Sequence, residues 1–198
     1  LYIYDPAFAQ RAMNFISAND KQTLRYLKSA AQSDQPQLRG AAAAWLGDLQ
    51  DKSAAKELLK MAKSETNPEA AAAIAQALAK NQQWTLDTLV KGLKTTYTAP
   101  AATTYALALG FMTGNAIEPI KQSLTNKNIN VRINAARAAA YMAGVLGSDQ
   151  AYVYTNDRNL DILLLKGLIA SIAVLSNSQN QDEKIIALNA LTQIAKLK

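Results

Sequence analysis

The chain has 198 residues, of which 49% are apolar and only 18% charged, with a net charge of +6. That balance excludes a disordered chain, and the absence of Cys and His removes disulfides, thiolate metal sites and the commonest general base. No apolar run approaches the roughly 18 residues of a membrane span, and the basic excess is spread evenly, 12 Lys and Arg against 9 Asp and Glu before Pro100 and 9 against 6 after it, so no basic arm stands out.

The sequence opens LYIYDP, without Met or a charged leader, and reads as a piece of a longer chain. Its first apolar run, PAFAQRAMNFI, starts at Pro6 behind Asp5 and predicts a capping helix within residues 1–19. KQTLRYLKSAA follows, with Leu24 and Leu27 on one helical stripe. Next comes PQLRGAAAAWLGDL from Pro36, then KSAAKELLKMAK, then PEAAAAIAQALA from Pro68 behind Asn67. WTLDTLVKGLKT, PAATTYALALGFM from Pro100 and AIEPIKQSLT continue the alternation. NINVRINAARAAAYMAG begins at Asn128 without a proline, and DEKIIALNALTQIAKL begins near Asp182.

Pro6, Pro36, Pro68 and Pro100 are 30, 32 and 32 residues apart, and each opens an Ala-rich run. Proline at a first helical position forfeits an N–H that has no partner there, and a preceding Asp or Asn satisfies a neighbouring one. Two helices per thirty-odd residues, repeated, predict an all-α chain: a right-handed αα superhelix of about five helical pairs. The alanines then have a reason. They let a helix flanked by two neighbours approach both at the lower end of the usual spacing, while Trp45, Leu46, Leu78, Leu109 and Met142 fill the volume between. A single domain is expected over 1–198, with repeats at 20–146, an insertion loop at 147–160 containing Tyr152 and Tyr154, and a closing helical pair at 161–198. In that pair DILLLKGLIASIAVLS is predicted as one helix capped by Asp161, apolar almost all round and so buried or covered by a partner.

LRGAAAAWLGDL and VRINAARAAAYMA resemble the second-helix signature of HEAT repeats, V-R-x-x-A-A-x-A-L-G-x-L. Leu38, Arg39, Ala42, Ala43, Leu46, Gly47 and Leu49 carry it in one repeat, and Val131, Arg132, Ala135, Ala136 and Met142 in another. Ala71 and Thr103 stand where the arginine belongs in the repeats between them, and the turn Asp before the arginine is shifted or replaced (Ser33–Asp34, Asn126). The Asp–Arg ladder of the family is therefore expected to be partial. The two-helix unit favours HEAT over the neighbouring armadillo type.

The resemblance implies an interaction scaffold that binds a protein or peptide through a concave groove. Carried over to this chain, the groove positions are Asp48, Gln76, Lys80, Phe111, Asn134, Arg137 and Tyr141, with Tyr152 and Tyr154 added from the insertion loop. The rival partner is nucleic acid, tracked by Lys52, Lys56, Lys60 and Lys63 on one helical ridge with Lys91 and Lys94 beside it. A structural segment of a larger, envelope-associated assembly is a further alternative. No enzyme signature emerges. Ser53 to Lys56 spell S-x-x-K, but on an outer helix with no companion strand motif. The carboxylate pairs Asp48/Asp51 and Asp182/Glu183 sit where helix ends need them. No cofactor or metal is expected, and the sequence names no compartment.

Overall fold

The computed structural model describes residues 20–95, 99–149 and 151–198. The capping helix expected within 1–19, with its Asp5–Pro6 start, lies outside them. Among the described residues there are eleven α-helices and no strand. They are α1 (Asp20–Ala30), α2 (Pro36–Leu49), α3 (Lys52–Ser64), α4 (Pro68–Lys80), α5 (Gln82–Thr95), α6 (Ala99–Phe111), α7 (Gly114–Leu124), α8 (Ile129–Leu146), α9 (Arg158–Lys166), α10 (Ile169–Leu175) and α11 (Gln181–Ala195), with a 3₁₀ turn at Ala151–Val153.

The Ala-rich helices form one row: α2 packs on α4, α4 on α6, α6 on α8, and α8 on α11. The amphipathic helices α1, α3, α5, α7 and α10 each pack against a row member. The result is an all-α helical solenoid. Helix starts follow the local chemistry. Asn67 accepts from the N–H groups of Glu69 and Ala70, both at 3.0 Å, ahead of Pro68. Asp51 caps α3 through Ser53 and Ala54, and Asn128 caps α8 through Asn130.

Close packing of the row rests on small side chains. Ala43, Ala136 and Leu46 are completely buried. A Cβ on Gly47 would lie 2.8 Å from the Ala77 Cβ, and one on Gly110 2.8 Å from the Tyr141 Cβ, so α2–α4 and α6–α8 are in backbone-to-backbone contact there. Buried Asn81 joins the first two tiers: its Nδ2 donates to the carbonyls of Gly47 (3.0 Å) and Ala77 (2.9 Å).

The carboxyl-terminal part departs from the sequence reading. The helix expected from Asp161 to Ser176 is two helices, α9 and α10, broken at Gly167–Leu168, so three helices stand where a pair is predicted. Asp157 is the cap, accepting from the N–H of Leu160 at 3.0 Å. Asp161 lies inside α9, buried, and accepts a short hydrogen bond from the Thr155 hydroxyl. Gly114 leaves room for that carboxylate, whose Oδ1 would collide with a Cβ there. Burial is one-sided as well: Leu163, Leu164, Ile169 and Val174 remain exposed. Helix α11 is capped by Asn180, with Asp182 and Glu183 in its first turn.

Candidate binding groove

Helix α8 has 18 residues against 14, 13 and 13 for α2, α4 and α6. Gly110, next to the end of α6, packs on Tyr141 and Met142, so the last turn of α8, with Gly144 and Val145, extends past α6. Together with Leu107 and Phe111 of α6 and Ile186, Asn189 and Gln193 of α11, it encloses an open groove of about 500 Å³, whose remaining lining is Arg137, Ala140, Tyr141 and Ser148. A second groove of about 240 Å³ adjoins it, sharing Arg137 and Ile186 and adding Asn130, Asn134 and Asp182.

Three of the residues carried over from the family pattern meet here. Phe111, Arg137 and Tyr141 are half-buried and line the same groove. Asn134 is buried beneath them rather than displayed, and its Oδ1 accepts from Arg137 Nη1 at 3.1 Å, which orients the guanidinium. Tyr154, from the insertion, does not line the groove but touches one of its walls. Its ring packs on Phe111, centroids 4.9 Å apart and tilted by 45°. The loop is held by the Thr113 hydroxyl, which donates to the Tyr154 carbonyl at 2.8 Å. Burial pushes the Tyr154 phenol above its ordinary pKa, and the nearby Lys80 ammonium works in the opposite direction.

The other carried-over positions do not line this groove. Asp48 and Lys80 pair with each other at 2.5 Å, joining the ends of α2 and α4. Gln76 is half-buried on α4. Tyr152 is 78% exposed on the 3₁₀ turn and lines neither groove. Sequence reasoning missed the α11 wall and Gly144. The signal is present in both: Ile186, Asn189 and Gln193 recur at three and four residues, and Arg137, Tyr141, Gly144 and Ser148 continue one stripe at four, three and four. Neither pattern indicates which helix faces which.

The partial ladder is complete where its arginines exist, but the acids come from elsewhere. Arg39 donates through Nε and Nη2 to Glu65, both at 2.7 Å, and through Nη1 to the carbonyls of Ser33 and Asp34. Arg132 repeats the arrangement with Glu183 (2.5 and 3.2 Å) and the carbonyls of Asn126 and Lys127. Among the described residues no cluster of acids is arranged to hold a metal ion, and no helix is long and apolar enough to cross a membrane.

Residues 5–79 match the family model described as HEAT repeats. No curated protein matches the sequence. Among solved structures, a designed armadillo repeat protein is 15% identical, covering 98% of this chain and 96% of its own, with a TM-score of 0.36. Two engineered proteins are 20% and 21% identical over 89% and 87% of this chain and 98% and 96% of theirs, with TM-scores of 0.33 and 0.29. Residues 5–79 thus resemble HEAT repeats, and with the inner-helix arrangement repeated through α8 the chain is an all-α helical repeat solenoid.

Proposed function

We propose that the chain is a non-catalytic binding module of one repeat domain, and that it holds a protein or peptide partner in the groove between α6, α8 and α11. The observation that carries this reading is the convergence of Phe111, Arg137 and Tyr141 on one open, mainly apolar groove. Arginine and large aromatics are the side chains that most often anchor interfaces, and a stacked scaffold presents them with little ordering cost on binding. The test is co-purification with the Arg137→Ala/Tyr141→Ala double variant, with folding checked by circular dichroism. Loss of a partner that the unaltered chain retains supports the reading, and equal recovery rejects this face.

Nucleic acid remains the second reading because Lys52, Lys56, Lys60 and Lys63 are all exposed along α3. Against it, Lys60 lies 3.6 Å from Glu57, and neither Arg nor an aromatic residue is interleaved on the ridge for bidentate or stacking contacts. Steeply salt-dependent retention on DNA would favour it. A place in a larger assembly is the third reading, motivated by exposed Leu163, Leu164 and Val174.

A further inference from the structure

We propose that the groove takes an extended peptide segment presenting a carboxylate about three residues from a large apolar side chain, with Arg137 receiving the acid and the space over Gly144 receiving the apolar group. The inference rests on the peptide-binding reading above and specifies the chemistry of its occupant.

Gly144 is the first observation. Of the chain's eight glycines, six have an atom within 3.4 Å of where a Cβ would sit, so crowding accounts for them, and Gly40 is in ordinary contact from 3.6 Å; Gly144 has nothing within 4 Å. Glycine in a helix is less stable than alanine, and α8 uses alanine at six nearby positions, 135, 136, 138, 139, 140 and 143. Neither packing nor backbone conformation requires a glycine at 144. What the missing side chain leaves is open space against the helix backbone, in the groove that Tyr141, Val145 and Ile186 also line.

Arg137 is the second. It is the one charged residue lining this groove. Arg39 and Arg132 each have a carboxylate partner, whereas Arg137 has none among the described residues within ion-pair distance, its Nη1 being satisfied by neutral Asn134. Asp182 lies in the adjoining groove without pairing with it. A guanidinium fixed by a neutral amide in mostly apolar surroundings is complementary to an incoming carboxylate. A single cation among apolar walls does not fit a phosphate polymer, which needs several.

Spacing links the two. Seven residues of helix separate Arg137 from Gly144, a rise of roughly 10 Å, which an extended peptide spans in about three residues. On the facing wall Asn189 and Gln193 supply amide donors and acceptors suited to the main chain of such a segment.

The test is selection of a phage-displayed random peptide library on the purified chain, followed by fluorescence anisotropy on synthesised winners. Winners enriched in Asp or Glu about three positions from Leu, Ile, Phe or Met are expected. Their affinity should fall roughly tenfold or more with Arg137→Gln and comparably with Gly144→Leu, recover in part with Arg137→Lys, and stay unchanged with Lys56→Ser on α3. A circular dichroism spectrum of Gly144→Leu matching that of the unaltered chain separates a filled groove from a misfolded one. Winners that depend on Tyr141 yet show no acidic preference, or ignore Arg137→Gln, overturn this inference and leave the peptide-binding reading intact. Absence of any Tyr141-dependent winner overturns both. An oligothymidylate probe that competes for the groove with sensitivity to Arg137→Gln overturns the choice of a peptide.

Discussion

The guanidinium of Arg39 meets the carboxylate of Glu65 from the next tier in a two-pronged contact, Nε–Oε2 and Nη2–Oε1 both at 2.7 Å. Glu65 also accepts from the N–H groups of Thr66 (3.0 Å) and Asn67 (2.8 Å), so one buried side chain closes the first tier and organises the start of α4. Replacing Glu65 by Ala leaves the guanidinium and two backbone donors without their acceptor. A loss of about 2–3 kcal/mol is expected, read as a lower midpoint in urea with little change in slope.

Both ladder acids are held below the usual glutamate range. For Glu65 the hydrogen bond from Arg39 pulls the pKa down, burial opposes it and loses, and the N–H groups of Asn67 and Thr66 add to the pull. For Glu183 burial pushes upward, but Arg132 and Ser178 together outweigh it. A carboxylate more acidic when folded than when unfolded stabilises the fold above its unfolded pKa, roughly 4.3, and loses that contribution as pH falls toward the folded value. The melting temperature should therefore drop as pH falls from about 6 to about 3. The drop should be shallower in the Glu65→Gln/Glu183→Gln double variant, and parallel curves would contradict the assignment.

Two glycines on neighbouring helices should respond to alanine with opposite signs. At Gly110 the new methyl would lie 2.8 Å from the Tyr141 Cβ and 2.9 Å from the Met142 nitrogen, forcing α6 from α8. A cost of about 1–3 kcal/mol is expected for Gly110→Ala. Gly144→Ala meets nothing and should stabilise by about 0.5–1 kcal/mol through helix propensity and a less flexible unfolded chain. Thermal melts of the two variants give the comparison directly.

Thr113 has φ 45° and ψ −126°, a conformation that a β-branched residue rarely adopts. It is buried, and its hydroxyl holds the insertion at the Tyr154 carbonyl. Thr113→Ala loses the hydrogen bond and keeps the strain, with an expected cost of about 1–2 kcal/mol. Thr113→Gly loses the bond but relieves the backbone, so it should fall less. The reverse order in chemical denaturation would show that the strain is not a cost.

Leu46 and Ala136 probe the row from opposite directions, and both are fully buried. Leu46→Ala should cost about 2–5 kcal/mol by opening a cavity. Ala136→Leu should cost about 1–3 kcal/mol by overfilling the space beside α8. Equilibrium unfolding of each variant measures both.

The helices and their order were legible because each is a local matter. Pro36 and Pro68 begin helices wherever they stand in the fold, Asn67 and Asn128 cap their own chain, and the Ala-rich stripes declare which helices are sandwiched. Local pattern misled at Asp161, which resembles a cap but is drawn inside by Thr155 and by the space over Gly114. It also misled at 161–176, where apolar composition does not reveal that one face stays open.

By itself, then, the sequence determined an all-α stack with small residues in its inner row, since propensity, capping and periodicity act over a few neighbouring residues. Only the tertiary structure decided that Glu65 and Glu183 complete the ladder, that Tyr154 returns to cover Phe111, and that Arg137 and Gly144 face Ile186, Asn189 and Gln193 across one groove. Those pairings join residues up to 56 positions apart, and their geometry depends on how far one helix lies from the next, which no local pattern records.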